Sequence, residues 1–216
     1  MLVHRFPIEI CIVDPSKAKP HVMTKDYSSF PRVERNASFG APSKQINSDT
    51  DVVRFMRSIA CQRIVGFVLL LNDAVKGKTC IDADIHLSST ILAIGRVLEE
   101  LNRFIDDIRP STGPRRFGNV AFRDWIRRLE EALLSIKPAN RQRAPSLLRE
   151  HLPEECHPAL VEITPYFLGG FGSGQRLDYG TGHELSFAAF LCTLILLRIL
   201  DPATDAEAAA LVLFPR

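Results

Sequence analysis

Fourteen consecutive residues, Phe187 to Leu200, carry a single charge, Arg198. A membrane-crossing helix needs about 20 apolar residues, so this run predicts a helix buried in a protein core. A helix that is apolar almost all round must be covered on every side. The rest of the chain therefore has to supply several covering elements, and their period says what kind they are.

That period is helical. Ser48 and Asp49 suit a helix N-cap. Val52, Phe55, Met56, Ile59, Ile64, Phe67, Val68 and Leu71 then recur at three- and four-residue spacing. The spacing predicts one helix from about Ser48 to Lys76, with Gly77 as a left-handed C-cap. A second is predicted over about Ile85–Ile105, with Ile91, Leu92, Ile94, Val97, Leu98, Leu101 and Ile105 as its apolar positions. A third covers about Asn119–Ile136, with Phe122, Trp125, Ile126, Leu129 and Leu133. Pro158 suits the first turn of a short helix toward Phe167. The apolar helix itself is predicted over about His183–Leu200, with Asp201-Pro202 stopping it and an alanine-rich helix opening near Ala203. The stretches 109–114, 137–145 and 169–182 are loops by composition. Alternation of period two is confined to Ile8–Val13, so the class is all-α.

Residues 1–38 differ from the rest. Pro7, Pro15, Pro20 and Pro31 interrupt them, and proline fixes φ and removes a donor. They are read as a poorly ordered extension to a helical domain over 39–216. Pro7 and Glu9 break the apolar start, and no small-residue cleavage site follows, so no signal peptide is expected.

With 27 basic and 25 acidic residues the formal net charge is +2. No strong field draws such a chain to nucleic acid or an anionic membrane, and neither is expected as a partner. Cys11, Cys61, Cys80, Cys156 and Cys192 are odd in number and lack CxxC spacing. This argues against a disulfide framework and a zinc site and fits a reducing compartment.

Three motifs fail on inspection. Gly77-Lys78-Thr79 resembles the end of a P-loop, but Asn72 stands where its first glycine belongs. Gly170-Phe-Gly172-Ser-Gly174 lacks the third glycine of a dinucleotide fingerprint, Gln175 occupying it. His183-Glu184 begins a zincin motif whose second histidine would be Phe187. The other histidines have no partner at ligand spacing. The arginines between Arg115 and Arg149, interleaved with Glu130, Glu131 and Glu150, read as a solvated face.

One stretch concentrates chemistry: Gly169-Gly-Phe-Gly-Ser-Gly-Gln-Arg176-Leu-Asp178-Tyr179-Gly180-Thr181-Gly182-His183-Glu184. Glycines let backbone N–H groups approach a ligand. The N-terminus of the following helix adds free N–H groups and partial positive charge, which favour phosphate or carboxylate. Arg176 offers a forked donor suited to phosphate, and Thr181 can bond a phosphate or cap the helix. The structural alternative is a capped loop braced by a buried Arg176–Asp178 pair.

The run Arg176-Leu-Asp-Tyr-Gly-Thr-Gly-His-Glu184, followed by Phe187-Ala-Ala-Phe-Leu-Cys192, resembles the protein phosphatase 2A activator (phosphotyrosyl phosphatase activator, PTPA) family. Arg116-Phe-Gly-Asn119 with Ala121-Phe-Arg123-Asp-Trp125 resembles its middle motif. Leu71-Asn72 with Ala74-Val-Lys-Gly-Lys78 resembles its first helix and turn. The resemblance implies an all-helical fold with core, linker and lid regions, in the cytoplasm and nucleus. It implies an activator that binds the catalytic subunit of protein phosphatase 2A, with ATP- and magnesium-dependent peptidyl-prolyl cis/trans isomerase activity on a proline-containing segment. Carried over by matching, the ATP contacts are Arg176, Thr181 and Gly182, with Gly180 beside them. Asp178, Tyr179 and His183 form the adjoining wall and are the candidates for a catalytic role.

Family members continue past the position of Arg216 with a Gly-rich segment and further helices that supply magnesium contacts. No metal ligand is therefore assigned here, and the missing C-terminal helices are expected to leave part of the 183–200 helix uncovered, making the chain weaker and stickier. The alternatives are a non-catalytic phosphatase-binding module and an inactive fragment.

Overall fold

A computed structural model describes residues 33, 37–78, 84–113, 118–134 and 146–215. Its elements are α1 (Asp49–Met56), α2 (Ile59–Val75), α3 (Ser89–Asp107), α4 (Ala121–Leu134), α5 (Leu147–His151), a 3₁₀ turn (Glu154–Ala159), α6 (Leu160–Gly169), α7 (Thr181–Leu196) and α8 (Ala206–Ala208). The last continues as a π-helical turn, Ala209–Leu213. Among the described residues the only β pairing is an isolated bridge between Ser173 and Asp178. The class is all-α, as the period predicts.

The helix predicted over Ser48–Lys76 is two. Ser48 and Asp51 form a capping box that starts α1. Ser58 then starts α2: its hydroxyl accepts from Cys61 N–H at 3.2 Å and donates to the Phe55 carbonyl at 2.7 Å. The two helices meet at 60°. A serine hydroxyl offers the backbone an alternative partner, and here it wins over the continuous apolar spacing.

Other boundaries shift for similar reasons. Ser88 caps α3, so that helix opens at Ser89 rather than near Ile85. Asn119 lies before α4, its Oδ1 accepting from Ala121 N–H and from the N–H and hydroxyl of Ser111. Pro158 sits inside the 3₁₀ turn, and α6 begins two residues later. Lys76 and Gly77, with φ of +74°, end α2 as a left-handed turn. Lys78 pairs with Glu207 on α8, so the lysine of the failed P-loop motif ties two helices together. Thr79, Arg115–Phe117, the loop 137–145 and the Ile8–Val13 alternation lie outside the described residues.

The apolar helix α7 is the centre of the fold. Every residue from Phe187 to Leu196 is buried. It packs against α6 and α2, while α2 also meets α8 and the π turn. The expectation of an uncovered α7 is therefore overturned: these neighbours cover it from Phe187 onward. The terminus also differs. Helix α7 stops at Leu196, not at Asp201-Pro202, through a Schellman turn. Arg198 takes φ of +59°, its N–H bonds the Ile195 carbonyl at 3.0 Å, and Ile199 N–H bonds the Leu194 carbonyl at 2.9 Å.

Of the extension read over residues 1–38, Val33 is buried and its N–H bonds the Leu196 carbonyl at 2.9 Å. Ala37 and Phe39 pack on the same core. No single helix among the described residues is long and apolar enough to cross a membrane.

Candidate functional site

The glycine-rich stretch between α6 and α7 is held from behind by aromatic packing. Phe171 meets Trp125 of α4 edge-on at 5.7 Å and Phe167 of α6 at 5.0 Å, and lies 6.3 Å from Phe187 of α7. One side chain thus pins the loop to three helices. Such pairs add about 0.5–1.5 kcal/mol each beyond their buried area.

Two glycines are there for lack of room. A Cβ on Gly118 would lie 2.7 Å from the Leu177 carbonyl oxygen. Gly172, with φ of +107°, passes so close to Asp178 that a Cβ would meet its carbonyl oxygen at 2.9 Å. The resulting turn is cross-braced. Ser173 N–H bonds the Asp178 carbonyl at 3.0 Å, Leu177 N–H bonds the Ser173 carbonyl at 2.8 Å, and Ser173 Oγ accepts from Arg176 N–H at 3.2 Å. Leu177 pays for the tightness with φ of +56°. Arg123 of α4 closes the turn from outside, its Nε donating to the Gly174 carbonyl at 3.1 Å.

This turn forms one wall of an open groove of about 1260 Å³. Phe55, Ile64, Ile126, Leu168 and Leu185 give it an apolar floor. Arg176, Asp178, Tyr179, Gly180, Thr181, Gly182 and His183 all line it, so every residue singled out for the site is brought to one place.

Their arrangement refines the expectations. Arg176 and Asp178 pair through Nε and Oδ2 at 2.7 Å, but both side chains are exposed, not buried. The Arg176 hydrogen bond holds the Asp178 carboxyl below its usual range, and Asp178 in turn raises the guanidinium. Gly180, not Thr181, is the N-cap of α7, and no side chain caps that turn. Thr181 is the first helical residue, and it and Gly182 are exposed. Gly180 and Gly182 have open space where a Cβ would sit. The first turn of α7 is thus left accessible to an anion. His183 donates from Nδ1 to the Gly169 carbonyl at 2.7 Å and stacks on Tyr179 with centroids 5.8 Å apart.

The sequence does not mark the other polar residues of the groove. Lys44, Arg127 and Glu130 also line it, and the bracing role of Arg123 depends on a contact 51 residues away. The positions sit in unremarkable polar runs, so no local signal marks them. Cys61, Cys156 and Cys192 are buried free thiols. Burial pushes Cys156 and Cys192 up to about 12, which leaves them unreactive as nucleophiles.

Comparison with known proteins agrees with this architecture. The family described as "Phosphotyrosyl phosphate activator (PTPA) protein" matches residues 42–216. The chain is 36% identical over 190 residues to serine/threonine-protein phosphatase 2A activator 1 of Emericella nidulans, covering 78% of this chain and 41% of that protein. It is 35% identical over 180 residues to the Schizosaccharomyces pombe protein of the same name, covering 83% and 51%. The serine/threonine-protein phosphatase 2A activator of Drosophila melanogaster is 34% identical over 176 residues, covering 82% and 41%. The chain thus spans about half the length of these relatives, or less. The crystal structure of the phosphatase activator Ypa1 superposes with a TM-score of 0.72 at 33% identity, over 87% of this chain and 57% of that one. The match over 42–216, the shared helical fold and the Arg176–Glu184 run together place this chain in the PTPA family.

Proposed function

We propose that this chain serves as a protein phosphatase 2A activator, the role for which its relatives are named, and that it acts through the groove beside the 176–183 turn. The observation that carries the reading is the convergence of Arg176, Gly180, Thr181 and Gly182 on the uncapped first turn of α7. Exposed backbone donors, a hydroxyl and a guanidinium form a donor set that fits the phosphates of ATP. In this reading Gly180 and Gly182 keep the approach clear, Thr181 and Arg176 bond phosphate oxygens, and Asp178, whose carbonyl accepts from Ser173 N–H, organises the loop. Bound there, ATP supplies a compact negative charge. Among the described residues no three His, Cys, Asp or Glu side chains are grouped to hold a metal ion, and no step here runs through magnesium.

The apolar floor suits a proline-containing segment of the phosphatase catalytic subunit. Rotation of an X–Pro bond needs no nucleophile: the barrier is about 18–20 kcal/mol, and a site that prefers the twisted amide lowers it. Asp178, Tyr179 and His183 line the same groove, and the isomerase role is assigned to this wall. The activity belongs to the cytoplasm and nucleus in the same reading.

Arg176→Ala tests it. The guanidinium is exposed, so the variant keeps its fold. A charge-assisted bond to phosphate is worth about 1.5–3 kcal/mol, which is roughly a tenfold or greater loss of ATP affinity by calorimetry. Unchanged affinity in a folded variant rejects the phosphate assignment.

A further inference from the structure

Asp178 stands between two basic groups. Its Oδ2 accepts from Arg176 Nε at 2.7 Å, and its Oδ1 lies 3.9 Å from Nε2 of His183. The other ring nitrogen of His183 is committed. Nδ1 sits 2.7 Å from the Gly169 carbonyl, and a carbonyl only accepts, so Nδ1 carries a proton. Nε2 is then the atom that gains or loses one. The ring is held, not free to swing: Tyr179 stacks on it within 20° of parallel, and its side chain is 18% exposed.

The surroundings of the ring are defined. The turn contributes Arg176, Asp178 and Tyr179, and α6 contributes the Gly169 carbonyl. Glu184 follows His183 on α7. Arg123, Arg127 and Glu130 of α4, with Lys44 from the segment before α1, line the same groove. Asp178 is the carboxylate within 4 Å of Nε2.

We propose that His183 is a positioning residue for the anion-binding turn: a proton on Nε2 draws Asp178 Oδ1 toward the imidazolium and slackens its hold on Arg176, releasing the guanidinium to an anion at the first turn of α7. This rests on the phosphate reading of that turn. With Nε2 neutral, Arg176 and Asp178 satisfy each other. With Nε2 charged, one carboxylate serves two cations, and the trio carries a net positive charge. Proton and anion then favour each other's binding reciprocally.

The test has a ligand-free arm and a binding arm. His183→Asn keeps a side-chain N–H in reach of the Gly169 carbonyl and removes the titrating nitrogen. In the unliganded protein, the Nε resonance of Arg176 is followed from pH 8 to pH 5.5 by NMR. We expect it to move with the His183 imidazole signal in the wild type and to stay flat in His183→Asn. Should that variant misfold, Asp178→Asn, which keeps His183, must give the same flat response. An Arg176 signal that ignores the His183 titration, or that moves equally in the variant, overturns the proposal. In the second arm, calorimetry with inorganic tripolyphosphate at pH 8 and pH 6 should show tightening about three- to tenfold greater in the wild type than in His183→Asn, the size expected of one added charge near a solvated site. Both proteins meet the same ligand titration, so their ratio isolates His183. Equal tightening in both proteins overturns the proposal. Tripolyphosphate binding that is unchanged in Arg176→Ala instead rejects the phosphate reading, and the ligand-free arm still decides the coupling.

Discussion

Glu162 is a glutamate on α6 that the fold places indoors. It is 3% exposed, and its Oε2 accepts a long bond, 3.4 Å, from Gly40 N–H. Burial pushes its carboxyl up to about 7, with the Gly40 bond a smaller opposing influence. A carboxyl raised in the folded state favours folding fully below its unfolded value, about 4.3. That contribution is lost as pH rises to about 7. Over this window the loss is about 4 kcal/mol. Glu162→Gln should therefore be neutral at pH 4.5 and stabilising at pH 8, measured by urea denaturation at both. A variant that stabilises equally at both pH values removes ionisation as the cause. Sequence gives no hint of this burial, because Glu162 sits between Val161 and Ile163 and only the packing of α6 decides which of the three turns inward: Ile163 is buried beside it, while Val161 is half exposed. Arg198 is a second such residue. Its left-handed φ is a conformation most side chains avoid, and the apolar run around it reads as unbroken helix.

At the scale of elements, the break between α1 and α2 shows how one hydroxyl redirects a helix. Ser58 satisfies Cys61 N–H at the start of α2 and the Phe55 carbonyl near the end of α1. Removing a serine N-cap costs about 1 kcal/mol. Ser58→Ala should lower stability by that amount in a urea titration; Ser58→Thr, which keeps the hydroxyl, should recover most of it. No change in Ser58→Ala would mean the bend is set by the packing of Phe55 and Phe67 alone. The caps of α2 and α3 were readable as residue types, since serine precedes each helix. What could not be read was their precedence over an apolar spacing that continues across them. The loop between α6 and α7 was legible as glycine-rich and polar. Its bracing by Gly118, Phe171 and Arg123 was not, because those contacts join positions up to 59 residues apart.

The molecule as a whole is organised around α7, and the candidate site is its exposed end. The first turn meets solvent and the groove, while Phe187 to Leu196 are enclosed. A ligand that binds the first turn is therefore coupled to the core helix. At ATP concentrations tenfold above its dissociation constant, linkage gives about 1.4 kcal/mol, a rise of about 3–6 °C in the melting temperature of a chain this size. A cooperative melt unmoved by millimolar ATP would show that this chain does not hold the nucleotide. The sequence by itself determined the helical class, the identity of the buried helix and the run that forms the candidate site. Each is written in local spacing: a 3.6-residue period, fourteen residues with one charge, nine consecutive residues from Arg176 to Glu184. The tertiary structure decided how α7 is covered, which carboxylate is buried, and how closely His183, Asp178 and Arg176 sit to one another along the groove. Those outcomes depend on contacts between residues distant in sequence, and the free energy of such contacts exists only once the helices have packed.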